Sequence, residues 1–283
     1  MTSSAGVLID AGELHRLITD DPALVVLDVR WALGDPEGRA HHAAAHLPGA
    51  VYVDLETELS GPPGAGRGRH PLPDPEALEE SARRWGIRTE SDVVVYDDVG
   101  NLSAARAWWL LRWAGHASVR LLDGGLRAWR RAGYTLEAGP VLPERGDVTL
   151  APGVLPALGA EEAAELARTG LLLDARAGER YRGEVEPVDP RAGHIPGAVS
   201  SPTSANLRPD GGFADAPELA RRFAALGADR AQVIGVYCGS GITAAHELAA
   251  LAIAGYDAVL YPGSWSEWVS DPVRPVALGA EPG

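Results

Sequence analysis

The chain has no lysine; all 25 of its basic residues are arginine. This excludes Schiff-base chemistry, pyridoxal phosphate attachment and a P-loop lysine. Cysteine is nearly absent as well. Cys238 stands alone, which excludes an internal disulfide and any multi-cysteine zinc or iron–sulfur site. Positive charge is in short supply: 39 acidic residues against 25 basic ones give a net charge of −14. That balance speaks against a nucleic-acid partner, whose affinity comes from cationic contacts to phosphate, and against an anionic membrane surface. Long apolar runs are missing, since the longest mostly apolar stretch, residues 248–254, is far too short to cross a bilayer. Residues 1–10 show neither a basic leader nor a long apolar segment, so a cytoplasmic location is the expectation, and an unpaired thiol suits that reducing compartment.

The chain does have 283 residues, 46% of them hydrophobic, enough for about two domains that each bury a core. It also repeats itself at a spacing of roughly 140 to 148 residues. Leu24-Val-Val-Leu-Asp28-Val-Arg30 returns as Leu171-Leu-Leu-Asp174-Ala-Arg176. His46-Leu-Pro-Gly49-Ala-Val51 returns as His194-Ile-Pro-Gly197-Ala-Val199. Val93-Val-Val-Tyr96-Asp97 returns as Ile234-Gly-Val-Tyr237-Cys238, and the block from Leu121 to Trp129 returns from Val259 to Trp268. In each half, short apolar strands alternate with helix-compatible stretches at 11–20, 75–85 and 104–114, then 159–168, 217–226 and 243–254. That alternation predicts an α/β fold: two tandem domains, each a mainly parallel sheet flanked by helices. The expected domains are residues 1–139 and 158–283, joined by a proline-rich linker at 140–157. Residues 61–75 read as a loop, and 272–283 as an extended tail whose last residues are mobile.

Cys238 falls between a predicted strand and a predicted helix, followed by Gly239-Ser240-Gly241-Ile242-Thr243. The first amides of a helix lack intrahelical acceptors, and the helix dipole is positive there, so a thiolate is favoured at this place. Gly239 and Gly241 let the loop curl its amides into an anion nest, and Ser240 and Thr243 add hydroxyls. In such sheets ligands sit at the carboxyl ends of the strands.

Cys238-Gly-Ser-Gly-Ile-Thr-Ala resembles the active-site loop of the rhodanese superfamily. The two-domain layout, with Asp97 where the later half has Cys238, resembles tandem sulfurtransferases from about Val7 to Val276. The resemblance implies two rhodanese-like domains, the first non-catalytic. It implies a Cys238 persulfide that passes sulfur from a small anionic donor to cyanide, a thiol or a thioredoxin-like acceptor, with no metal and no organic cofactor. The same resemblance makes Arg180 the arginine that grips the donor anion. Asp174–Arg176 and Asp28–Arg30 become structural pairs, since both halves carry them. Mercaptopyruvate enzymes have a second arginine directly after a Glu-Pro. Here Val188 follows Pro187, and the next arginine, Arg191, is the substrate-side candidate in its place. Thiosulfate-preferring members carry basic residues in the cysteine loop, and this loop has none. The donor therefore stays open between thiosulfate and 3-mercaptopyruvate.

Ser240, His70 and Glu56 match a serine–histidine–acid set of the mercaptopyruvate enzymes. His70 reads either as part of that proton-transfer set or as a loop histidine that docks the domains. Trp31 reads as facing the cleft or as packing at the interface. His46 and His194 recur in both halves and read as turn-stabilising. His41, His42 and His46 lack carboxylate or cysteine partners at ligand spacing, so no metal is expected. Trp108, Trp109, Trp113 and Trp129 read as core. Two other functions use a cysteine in such a loop. A phosphatase would need an arginine six residues after the cysteine, where Ala244 stands. A non-enzymatic persulfide relay or binding module keeps the cysteine but does without turnover of a small donor.

Overall fold

The computed structural model describes residues 6–64 and 66–283; residues 1–5, which open the first expected domain, lie outside it. The first half runs β1 (Leu8–Ile9), α1 (Ala11–Asp20), β2 (Val25–Asp28), α2 (Gly38–Ala44), β3 (Val51–Tyr52), α3 (Leu55–Glu58), α4 (Pro75–Arg84), β4 (Val93–Tyr96), α5 (Ala104–Trp113), β5 (Val119–Leu122) and α6 (Gly125–Arg131). The second runs α7 (Ala160–Thr169), β6 (Leu171–Asp174), α8 (Gly178–Tyr181), β7 (Val199–Ser200), α9 (Ala216–Ala225), β8 (Ile234–Tyr237), α10 (Thr243–Ala254), β9 (Val259–Leu260) and α11 (Ser264–Trp268). The strands form two wholly parallel sheets, ordered β1-β5-β4-β2-β3 and β7-β6-β8-β9.

Local chemistry explains the helix starts. Asp10, Asp74 and Asp215 each accept an amide hydrogen bond in the first turn of α1, α4 and α9, and proline stands in the first turn of the latter two. Both faces of each sheet are buried. Val93 and Val95 of β4, with Ile234 and Val236 of β8, belong to one apolar core shared by the two halves. Val94, Tyr96, Leu172 and Tyr237 alternate onto the outer faces. At the centre of the shared core α5 packs on α10. Trp108, Trp109, Trp113 and Trp129 are buried, as expected of core tryptophans.

The repeated Asp-x-Arg motif is built the same way twice. Arg30 bonds Asp28 at 2.6 Å, and the Tyr96 hydroxyl donates to Asp28 at 2.7 Å while accepting the Leu47 amide. Arg176 bonds Asp174 at 2.6 Å, and the Tyr237 hydroxyl accepts the Ile195 amide. Each motif thus ties two strand ends to a His-x-Pro-Gly turn. The ring Nδ1 atoms of His46 and His194 lie 2.8 Å from the carbonyls of His42 and Tyr181.

One expectation needs correction. The tail is docked, not loose: His194 and Ala277 exchange backbone hydrogen bonds, and Gly197 donates to the Pro282 carbonyl at 2.6 Å. Glu137 clamps the His46 turn in the same manner in the first half. The linker is strapped down as well. Val148 bonds Ile87, Ala151 bonds Ala114, and Ala157 already forms a parallel bridge to Leu260. No helix among the described residues is long and apolar enough to cross a membrane.

Candidate active site

Cys238 directly follows β8 and faces a pocket of about 250 Å³ at the carboxyl ends of the second sheet. Both halves line it: Trp31, Leu33, Arg69 and His70 from the first, and Arg176, Arg180, Cys238, Gly239, Ser240, Ile242 and Thr243 among those from the second. The cysteine is 2% exposed.

The loop is fixed from below by α11. The Cys238 amide donates to Ser264 Oγ at 3.1 Å, and the Cys238 and Gly239 carbonyls accept the amides of Trp265 and Ser266. Gly241 sits at φ +83°, and a Cβ there would lie 2.3 Å from the Pro262 carbonyl oxygen, so only glycine fits. Its amide donates to Cys238 Sγ at 3.2 Å. Among the described residues the amides of Gly239, Ser240, Ile242 and Thr243 donate to no protein acceptor. The nest expected around the sulfur is therefore one amide on Sγ, with the neighbouring amides still open.

The first half shows the same kind of loop filled. Asp97, at the position matching Cys238, accepts four amides: Val99 at 2.9 Å, Asn101 at 2.7 Å, Ser103 at 2.8 Å and Ala104 at 3.0 Å. Burial pushes its carboxyl up, and the four amides oppose that shift. Asn101 takes φ +68°, a left-handed conformation that asparagine tolerates better than most side chains.

Two guanidiniums stand over the cysteine loop. A Cβ on Gly239 would lie 3.2 Å from Arg69 Nη2 and 3.4 Å from Arg180 Nη1. Arg180 bonds Glu186 at 2.6 Å and approaches Asp189 at 3.4 Å, while Arg69 bonds the other oxygen of Asp189. Burial works against ionised Glu186, but the Arg180 hydrogen bond and two loop amides overcome it and hold the carboxyl below its usual range. Arg191 is elsewhere, contrary to its expected substrate-side place. Its guanidinium is taken by the carbonyls of Arg274 at 3.0 Å and Pro272 at 3.5 Å, and it does not line the pocket. Arg69 lies outside every motif of the sequence, and its one signal is its place next to His70 in the run Gly66-Arg67-Gly68-Arg69-His70.

Ser240, His70 and Glu56 do come together. His70 Nδ1 lies 2.8 Å from Ser240 Oγ, and Nε2 lies 3.1 Å from Glu56 Oε2. With Nε2–H donating to the carboxylate, Nδ1 accepts from the serine hydroxyl. Burial pushes the His70 ring below the ordinary histidine range, against the pull of Glu56. Trp31 edges against His70 and donates from Nε1 to Glu56 at 2.8 Å, which places it in the cleft.

Comparison with known proteins follows the same lines. Residues 10–132 and 159–271 each match the model of the Rhodanese-like domain. The chain is 51% identical over 284 residues to SseB of Mycobacterium tuberculosis, which carries a thiosulfate sulfurtransferase name; the match covers 99% of each chain. It is 48% identical over 283 residues to a Pseudomonas aeruginosa protein that carries a 3-mercaptopyruvate sulfurtransferase name, covering 98% of this chain and 99% of the relative. The crystal structure of SseA from Escherichia coli, a 3-mercaptopyruvate sulfotransferase with the rhodanese fold, matches with a TM-score of 0.81 at 34% identity. That match covers 92% of this chain and 98% of SseA. With one such domain in each half and a cysteine loop in the second, the chain belongs to the rhodanese family as a tandem, two-domain member.

Proposed function

We propose that the chain is a sulfurtransferase in which Cys238 carries the sulfur. The observation that carries this reading is the pairing of a pocket-facing thiol with open loop amides and two guanidiniums beside Gly239. The Cys238 thiolate attacks the outer sulfur of a small anionic donor. The new S–S bond forms as the donor's bond to that sulfur breaks, and the leaving group keeps the electron pair. The open amides then receive the outer persulfide sulfur. An acceptor nucleophile, whether cyanide, a small thiol or a thioredoxin-like protein, removes it. The chemistry calls for no metal or organic cofactor, and a reducing cytoplasm keeps the thiol available.

Within this reading Cys238, Gly239, Ser240, Gly241, Ile242 and Thr243 make the catalytic loop, and Arg180 binds the donor anion. Arg69, from the first half, replaces Arg191 as the second anion contact, and His70 and Trp31 complete the donor side. The domains fall at 1–139 and 158–283, with 140–157 between them.

The formed Ser240–His70–Glu56 chain favours 3-mercaptopyruvate. Thiosulfate releases sulfite, which needs no proton. Mercaptopyruvate releases a carbanion that must become a methyl group, so a proton has to pass from the donor thiol to carbon. A neutral imidazole linked to a serine hydroxyl can take that proton and return it.

The test is intact-mass analysis after incubation with each donor, followed by steady-state kinetics. Cys238 should gain one sulfur atom, and Cys238→Ser should gain none and turn over neither donor. Arg69→Ala should raise KM about tenfold, while Arg191→Ala should leave it within about twofold. Turnover by Cys238→Ser would refute the reading.

A further inference from the structure

Arg106, in the middle of α5, is the deepest cation in the molecule. It is 0% exposed, and its donors reach only carbonyl oxygens: Gly241 at 3.1 Å, His70 at 3.1 Å, Pro71 at 3.3 Å and Leu59 at 3.3 Å. Among the described residues it has no carboxylate partner within 4.0 Å. A buried guanidinium without a counter-charge is costly unless something nearby supplies the negative charge.

The other charges around the pocket are already matched. Arg180 and Arg69 are held by Glu186 and Asp189, and Arg176 by Asp174 with Glu186. His70 is neutral, lowered by burial, and carries no charge to match. Arg106 is left over, and it grips the carbonyl of Gly241, the residue whose amide touches Cys238 Sγ. Burial lowers the guanidinium to about 10, and negative charge at Cys238 is the one influence that opposes that shift.

We propose that Arg106 is a positioning residue that supplies the counter-charge for the Cys238 thiolate, so that the domain without a nucleophile keeps the other domain's sulfur ionised. The inference rests on the reading of Cys238 as the nucleophile but not on the identity of the donor. It gives the first domain a part in the chemistry that its Asp97 loop does not have. The guanidinium acts through the loop and through space, and touches no substrate.

The experiment is the rate of Cys238 alkylation by iodoacetamide, read by intact mass from pH 5 to pH 10, for the full chain and for Arg106→Met and Arg106→Lys. Arg106→Met should react about tenfold more slowly than the parent at pH 7 and equally fast at pH 10, where the thiol is ionised in any case. Arg106→Lys should keep most of the rate at pH 7. An unchanged rate at pH 7, or the same slowing at both pH values, overturns the proposal, because a merely structural role would not depend on pH. If Arg106→Met does not fold, Cys238→Asp and Cys238→Asn decide with Arg106 intact. The carboxylate variant should melt higher at pH 7, and an equal or lower midpoint overturns the proposal. Failure of persulfide formation in the parent chain would instead strike the sulfurtransferase reading, so the two outcomes are separable.

Discussion

On the proposed reading, His70 is the residue that separates the two donors. Its ring is buried, accepts from Ser240 and is oriented by Glu56, which Trp31 holds in turn. His70→Gln keeps the volume and removes the exchangeable base. Turnover of 3-mercaptopyruvate should fall about a hundredfold or more, while turnover of thiosulfate changes less than about threefold. Because burial lowers the imidazole, mercaptopyruvate turnover should persist through the ordinary histidine range and fail only at more acidic pH. Equal losses on both donors would remove the proton-transfer role. Cys238 stood out by its place between strand and glycine-rich loop, whereas Arg180 and the serine–histidine–acid set were named from the family resemblance, and all of them meet at the pocket or beside it. Arg69 and Arg106 were not legible. Arg69 reaches the pocket from a loop 169 positions away from Cys238 in sequence. Arg106 sits in an apolar run, Ala104-Ala105-Arg106-Ala107-Trp108, where periodicity gives a charge no address. Arg191 was misplaced for the converse reason: closeness in sequence to Glu186-Pro187 says nothing about which carbonyls capture the side chain.

At the scale of elements, α10 and α11 set the loop between them. α10 is buried from Ala244 to Leu251 because it is wedged between α5 and α9. α11 staples the Cys238 and Gly239 carbonyls, and the turn before it leaves no room beside Gly241. Gly241→Ala should therefore cost about 2 kcal/mol or more in unfolding free energy, read by denaturant titration, and abolish transfer by displacing the amide on Sγ. A folded, active Gly241→Ala would show that the loop has slack that its geometry denies. The long helices were readable as helix-compatible runs between the strands; 243–254 matches α10 end to end. The two-residue strands β1, β3, β7 and β9 are too short to carry a period, and they exist because a parallel neighbour supplies their hydrogen bonds.

Over the whole molecule, one apolar core joins the halves, and buried titratable groups tune its stability. His246 is fully buried in α10 against Phe213, and burial holds its imidazole down to about 3. The folded chain keeps this ring neutral while the unfolded chain protonates it near 6.5, so its contribution is present above that pH. It is lost as pH falls toward 3, at up to about 1.4 kcal/mol per pH unit. Burial lifts Asp28, Asp97 and Glu247, which act in the opposite sense, so the informative quantity is a difference. His246→Phe should lose less stability than the parent between pH 7 and pH 4.5, measured by urea midpoints. Parallel pH profiles would show that the ring is not the titrating group. Repetition in the sequence disclosed two domains but not their fusion, because a repeated strand–helix pattern does not say which faces of the two copies pack together.

The filled loop around Asp97 bears on what holds the first half in shape. A small apolar side chain at that place would strand four amides in the interior, where each costs stability. The short acid meets them all, so the loop holds its shape with nothing bound. The helix that starts from it is thereby fixed in place against the other half.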